Sequence, residues 1–549
     1  MGDLCNAAPP ISTSIKRDNT DARPLNCGTP FVIFHTLGRE KRTPKRRCEG
    51  AAYLLASLTI LACAVWWTRN ILYSDSVDLG WHYVVTDYIS RFWAWPPKYG
   101  SVRPADDYPL LAHTMAALVG AVIRSNLRAL VMLSVLSTCA IYALLSWGAR
   151  RSGLSGWSFS LMAGTLMILL APLNIFWGDE VIANFYYAQV VGEAAFLAFL
   201  LFISTLRSLP VKVVAACAAT FLLDYVYTPS AVHLALSCPL LWTVPFLQRW
   251  RITHRFPWKE FTFGGVLLGL LALLVISNSI FFSMIKNAAY NGGINVYFGN
   301  AGILGIILVN IALFAVLAIL AVSNKSGLVN PNFVLAALGG VTGAAIIQWV
   351  CFDFFGYGSP YAVSKHAFAL GSMLVVAFTT VTLDLLSAAS RFLLRPFHAQ
   401  VQIRLAGTAL APSLFMGLAL LSLWWDRPNL SLRSIETYEN DARQLVSSEE
   451  GSSVVGRTVS FNSQFSSGIN FTIAKVALGV SGYNQIEQVM IYSGNLRPEE
   501  QTADYFLISP VQATRLDPAC EVKTSFPLVA SRLVRATCYN QIRSSAEGR

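Results

Sequence analysis

Residues 51–73 read AAYLLASLTILACAVWWTRNILY, and residues 74–83 continue SDSVDLGWHY. At about 1.5 Å per helical residue the first stretch is long enough to cross the ~30 Å hydrocarbon core of a bilayer. It exceeds the roughly 7–15 residues of a signal-peptide apolar region and follows a polar segment, 1–49, so it reads as an uncleaved first span. Lys41, Arg42, Lys45, Arg46 and Arg47 stand just before it. Juxtamembrane Lys and Arg mark a cytoplasmic segment and fix orientation. The second stretch then sets Asp75, Asp78 and His82 where the chain leaves the hydrocarbon.

The rest of the chain follows the same pattern. Its 549 residues are 54% hydrophobic and 13% charged, against about 25% charged in an ordinary soluble domain. Disorder, a coiled coil and most soluble multidomain enzymes are excluded. The net charge of +11 invites a nucleic-acid partner, but nine basic residues precede the first apolar block. Their placement reads as topology, so the expected partner is the bilayer and not nucleic acid.

Apolar windows predict a polytopic α-helical membrane protein of about eleven spans, near 51–73, 129–148, 157–176, 189–206, 211–227, 231–247, 262–284, 303–322, 333–352, 368–388 and 406–425. An odd number separates the termini. With the N-terminus inside, Arg150–Arg151, Arg207, Arg249, Arg251, Arg255, Lys259, Lys325, Arg391, Arg395 and Arg404 fall in inner loops. The stretch 109–123 is too short to span and reads as an amphipathic or re-entrant helix in a structured first outer loop, 74–127.

Three regions result: a basic cytoplasmic tail, 1–49; a transmembrane domain, 50–426; and an extracytoplasmic domain, 427–549. After Trp424–Trp425 the apolar blocks end. A helix near 431–448 and strand-like runs at 454–459, 470–477 and 505–509 predict a small α/β fold. Cys520 and Cys538 pair there if the compartment is oxidising, or remain as two buried thiols. The absence of an internal repeat argues against transporters built from repeated halves.

Acidic residues concentrate on the outer side. The first loop continues Arg103-Pro-Ala-Asp106-Asp107-Tyr108-Pro109 towards His113; the second reads Trp177-Gly178-Asp179-Glu180, then Asn184-Phe-Tyr-Tyr187-Ala-Gln189. A carboxylate at the hydrocarbon boundary is costly unless solvated, paired or used. Desolvation also raises its pKa towards the range of a general base. Taken singly, each Asp reads equally as a helix cap or a solvated loop residue; taken together they read as a polar site. Asp75, Asp78 and His82 have metal-ligand types, but one turn of mixed ligands does not specify a site. No metal ligands and no cofactor are assigned, and a divalent metal stays open.

The separated acids at 75 and 78 carry a resemblance, together with Asp106-Asp107-Tyr108-Pro109-Leu110 opening into a short apolar helix, and Arg128 entering a span that ends at Ala149-Arg150-Arg151. The sequence resembles the GT-C class of membrane glycosyltransferases. That resemblance implies transfer of a sugar from a polyprenyl-phosphate carrier to a glycan or lipid acceptor at the extracytoplasmic face of a plasma (bacterial inner) membrane. It implies Asp78 as general base for the acceptor hydroxyl, with Asp75 second. Lys365, His366 and Arg103 would hold the departing phosphate. Asp179, Glu180, Asn184, Tyr187 and Gln189 would contact the sugar or order the first loop, and His82, Asp106, Asp107, Tyr108 and His113 would complete the substrate lining. The class signature has adjacent acids, whereas here they are three apart, so the base stays open between the two. The alternatives are a transporter or flippase, or a polymerase or ligase, for lipid-linked glycans.

The charge asymmetry makes a direct prediction: alkaline-phosphatase fusions after Trp425 are active and fusions near Arg255 inactive. The reverse pattern would put the acids in the cytoplasm and remove the site.

Overall fold

The computed structural model describes residues 44–72, 77–96, 108–154, 156–183, 185–290, 300–323, 328, 330–393, 410–424, 430–433, 436, 459–461, 505–508, 517–521, 532–535 and 537–538. The chain divides into two compact units, Met1–Cys48 and Glu49–Arg549. Helices begin with α1 (Pro44–Thr68), α2 (Val77–Phe92), α3 (Leu111–Ile123), α4 (Asn126–Arg151), α5 (Gly156–Leu170) and α6 (Asp179–Ala183). There follow α7 (Tyr187–Thr205), α8 (Leu209–Val226), α9 (Thr228–Leu240), α10 (Thr243–Thr253), α11 (Trp258–Ile276) and α12 (Ser279–Tyr290). The series closes with α13 (Asn300–Val322), α14 (Asn332–Phe355), α15 (Pro360–Ser364), α16 (Ala367–Leu393) and α17 (Leu410–Trp424).

Among the described residues, nine helical segments are long and apolar enough to cross a membrane. The chain is a multi-pass membrane protein. The two outermost of the eleven expected spans coincide with α1 and α17, whose described apolar parts, Ser57–Thr68 and Ser413–Trp424, are shorter. The expected short helix at 109–123 is α3, which begins after Pro109 because proline favours extended backbone before it and fits helix starts. Two segments expected as single helices are interrupted: 231–247 falls on α9 and α10, with Pro239 in the last turn of α9, and 262–284 falls on α11 and α12.

Burial sorts the helices. In the segments Asn126–Arg151 and Pro360–Ala389, 67% of the apolar window is buried, but in Trp258–Ile276 only 17%. The inner helices pack in pairs, α4 along α7 and α9 along α14, with α17 beside α5 and α16 beside α13. The outer ones turn Leu161, Val214, Phe221, Val266, Leu273 and Ile319 outward, a surface suited to lipid. Small residues permit the close approaches that packing without a hydrophobic drive requires. A Cβ on Gly340 of α14 would sit 1.9 Å from Ser237 Oγ and 2.8 Å from the His233 carbonyl oxygen of α9.

Chain segments distant in sequence meet just past the first and last apolar helices. Strand β1 (Ile71–Leu72) pairs antiparallel with β2 (Leu430–Ser431), and the Leu432 N–H donates to the Asn70 carbonyl at 3.0 Å. The first loop and the start of the region after α17 therefore share one side. Beyond it, β3 (Val459–Phe461), β4 (Tyr505–Ile508) and β5 (Arg532–Arg535) form a three-stranded sheet in that order. Cys520 and Cys538 are joined as a disulfide, Cα–Cα 5.7 Å. The strands expected at 454–459 and 505–509 overlap β3 and β4. The run 470–477 and most of the helix expected at 431–448 lie outside the described residues.

Gly340→Ala is expected to lower thermal stability by about 1–3 kcal/mol through overpacking. Gly264→Ala, which meets nothing within 4 Å, should be neutral or mildly stabilising. Equal melting temperatures for the two variants would contradict the α9–α14 contact.

Candidate functional site

The site grows from the first turn of α2. Asp78 lies there, where the helix dipole favours a negative charge. The inward face of α2 carries Leu79, His82, Tyr83 and Thr86, all buried, in helical spacing. That spacing leaves Asp78 half-buried at the edge of the packed face. Burial raises its carboxyl above the ordinary aspartate range, and the ammonium of Lys365 draws it part of the way back. Burial and the Asp78 charge together push the Tyr108 phenol up, so it stays protonated.

Lys365 follows α15, which starts at Pro360 with the Ser359 hydroxyl accepting the Ala362 N–H at 3.3 Å. Its ammonium lies over two rings, 4.6 Å from the Tyr186 centroid and 4.7 Å from that of Tyr361. The two phenols are joined, Tyr361 Oη donating to Tyr186 Oη at 2.7 Å. Cation–π attraction strengthens where water is excluded, so this pair holds an ammonium in place while its N–H groups remain usable. From α7, Gln189 Nε2 donates to the Lys365 carbonyl at 3.0 Å, and its Oε1 accepts from Tyr227 Oη at 3.3 Å. Gln189, expected to contact the sugar or order the first loop, thus fixes the turn that carries the lysine.

Two buried networks flank Lys365. On the α2 side, His82 Nδ1 and His113 Nε2 share a hydrogen bond of 2.8 Å, packed against Tyr108 and Tyr187. Burial lowers His82 well below the ordinary histidine value and His113 to about 4. Tyr187 Oη donates to the Ala112 carbonyl at 2.7 Å and anchors α3. Next to Lys365 in the chain, His366 Nδ1 is 3.0 Å from His233 Nε2, and His233 Nδ1 is 2.9 Å from Glu193 Oε1, which also accepts from Ser230 Oγ. His366, expected to hold phosphate beside Lys365, is turned into this chain instead.

Asp179 and Glu180, expected to contact the sugar or order the first loop, hold the backbone of their own turn. Both are buried, and they accept the N–H groups of Phe176 and Gly178 at 2.9 and 2.6 Å. Burial pushes the Glu180 carboxyl well up. The pair orders the turn before α6, because a tight buried turn leaves backbone donors that only nearby acceptors can satisfy. Asp75, Arg103, Asp106, Asp107 and Asn184 lie outside the described residues. Among the described residues no three His, Cys, Asp or Glu side chains converge as a metal-ligand set.

Sequence reasoning missed Tyr186, Tyr361 and Glu193. Tyr361 was within reach, since it stands four residues before Lys365, one helical turn. Glu193 was as well, as a lone carboxylate in an apolar span. Tyr186 gave no local signal.

No protein-family model and no curated protein matches the sequence. Among solved structures, ArnT from Cupriavidus metallidurans is similar in its form bound to undecaprenyl phosphate. The match covers 88% of this chain and 98% of that one, at 13% identity and a TM-score of 0.45. Its apo form matches over the same shares at 13% identity and a TM-score of 0.39. A likeness at this level assigns neither donor nor acceptor.

The histidine pair gives a pH prediction. Unfolded His113 takes a proton near 6.5 and folded His113 near 4, so the unfolded state binds more protons in between. Stability is therefore full above 6.5 and falls as pH drops from 6.5 to 4, by roughly 3 kcal/mol if His113 acts alone. His113→Gln should make this acid decline in melting temperature shallower. An unchanged slope would mean that His113 is not held neutral by burial.

Proposed function

We propose that the protein is a membrane glycosyltransferase that moves a sugar from a polyprenyl-phosphate-linked donor to an acceptor hydroxyl at the extracytoplasmic face. The observation that carries this reading is Asp78 in the first turn of α2 within electrostatic reach of the Lys365 ammonium, which two tyrosine rings hold in place. A carboxylate whose pKa is raised by burial suits proton abstraction near neutral pH, and a fixed ammonium suits a phosphate leaving as an anion.

In this mechanism the acceptor hydroxyl attacks the anomeric carbon as its proton passes to Asp78. The bond from that carbon to the donor's phosphate oxygen breaks, and the electron pair departs on the phosphate. The Lys365 ammonium, steadied between Tyr186 and Tyr361, balances the charge gained. Because the two tyrosines hold the cation by their faces, its N–H groups are left for oxygen acceptors. Gln189 keeps the turn in register through its bond to the Lys365 carbonyl.

One observation favours a second reading. The chain Glu193–His233–His366 is a buried hydrogen-bonded series inside the helical bundle, the kind of array that carries protons in transporters. A flippase of lipid-linked glycans would move its lipid in proteoliposomes, lose that with Glu193→Gln, and show no sugar transfer.

Purified protein in detergent with radiolabelled polyprenyl-phosphate sugars tests the transferase. Asp78→Asn keeps size and shape but removes the basic oxygen, and should cut turnover roughly 10²–10⁴-fold with folding intact. The wild-type rate should fall as pH drops through the raised Asp78 value, because the active form is deprotonated. Loss of turnover with Asp75→Asn and not Asp78→Asn would move the base to Asp75. Normal turnover in both variants would sink the transferase reading of this loop.

A further inference from the structure

Thirteen residues along α2 from Asp78, about 20 Å at 1.5 Å per residue, a second polar cavity of about 630 Å³ lies between the end of α2, the α3–α4 turn and Glu436. Three guanidiniums and two carboxylates line it, and hydrogen-bond accounting separates them. Asp87 has both oxygens engaged, Oδ1 by the Asn126 amide at 3.2 Å and Oδ2 by Arg91 Nε at 2.7 Å. Glu436 is engaged likewise: Oε1 accepts from Ser125 Oγ at 2.9 Å and Arg128 Nε at 2.5 Å, and Oε2 from Arg128 Nη2 at 2.6 Å. The donors are not used up. Arg91 Nη2 is buried with no partner, a costly state for part of a charged group. Arg124 is exposed, and among the described residues no ion pair engages it.

The backbone at Arg124 points the same way. It ends α3 at φ 59°, ψ 29°, its N–H donating to the Gly120 carbonyl. Glycine or asparagine fills such a left-handed cap at least cost; other residues lose roughly 1–2 kcal/mol there. The turn is also tight, since a Cβ on Gly120 would fall 2.2 Å from Asn126 Oδ1. An arginine at a position that disfavours its backbone contributes through its side chain, and that side chain lines the cavity.

We propose that this cavity binds a phosphate group, held by Arg124 and Arg91 in its wall, with Arg128 kept in place by Glu436. The N-terminus of α4, capped by Ser125, adds its dipole. At about 20 Å from Asp78 the bound group is not the one that reacts. It is a second phosphate, carried either by a soluble compound or by a phospholipid headgroup. The proposal does not depend on the transferase reading, and its test needs no turnover.

Thermal unfolding of the purified full-length protein tests it in two arms. One compares inorganic phosphate with chloride at matched ionic strength in neutral detergent. The other compares phosphatidylcholine nanodiscs with and without phosphatidylglycerol. Stabilisation by phosphate supports the site with a soluble ligand, and stabilisation confined to phosphatidylglycerol supports it with a lipid one. In either case Arg124→Gly, which suits the left-handed backbone and so folds at least as well, should weaken apparent affinity at least ~10-fold. Arg124→Lys should keep part of it. An equal response in wild type and Arg124→Gly, or no response in either arm, overturns the proposal.

Discussion

A backbone N–H or C=O without a partner costs several kcal/mol in hydrocarbon, and an ionised side chain costs at least as much. The chain answers the first cost with helices and the second by pairing its interior polar groups. Ser134 and Thr138 return their hydroxyls to carbonyls four residues back at 2.8 and 2.9 Å. Asn278 donates to Asp224, and His233 lies between Glu193 and His366. Exposed edges of charge are left mainly where helices start or stop, which is where Asp78 and Lys365 both stand.

Those two residues reach their positions by different routes. Asp78 is delivered by an amphipathic helix whose packed face, with Asp78 at its edge, is locked into the bundle by Leu79, Tyr83 and the His82–His113 pair. Lys365 is delivered by a short capped turn whose carbonyl is tied to Gln189. Neither side chain needs to be buried deeply, because the groups around each are. The tyrosine pair gives the ammonium a fixed place through its ring faces, and Asp78 reaches it as a neighbouring charge. The same physics places the His82–His113 pair close enough to Lys365 for charge on one to disfavour charge on the other.

Loop helices hold such a geometry only if their ends are fastened. Strand β2 pairs with β1 just ahead of α2, and Glu436 grips Arg128 at the head of α4. The region that follows α17 is therefore a brace for the first loop. A bidentate carboxylate–guanidinium pair suits this role because it fixes orientation as well as distance. Its second consequence is the arginine-lined cavity, which exists because the brace occupies acceptors and leaves donors.

The sequence by itself determined that the chain is a helical membrane protein, because a run of about 20 apolar residues has few other stable solutions. It also placed a short helix after Pro109 and brought Asp78 and His82 to one helix by their spacing of four. Lys365 was legible as a boundary lysine and Arg128 as a charge entering a span. The tertiary structure alone decided the partners. His82 meets His113, 31 residues away, Lys365 meets Tyr186 across 179 positions, and Arg128 meets Glu436 across 308. It also turned His366 onto His233 and gave Asp179 and Glu180 the backbone donors of their own turn. Periodicity reports which face of a helix is apolar and holds over one or two turns. Which polar groups meet depends on how helices cross and how closely glycines such as Gly340 let them approach, and no local pattern in the chain records that.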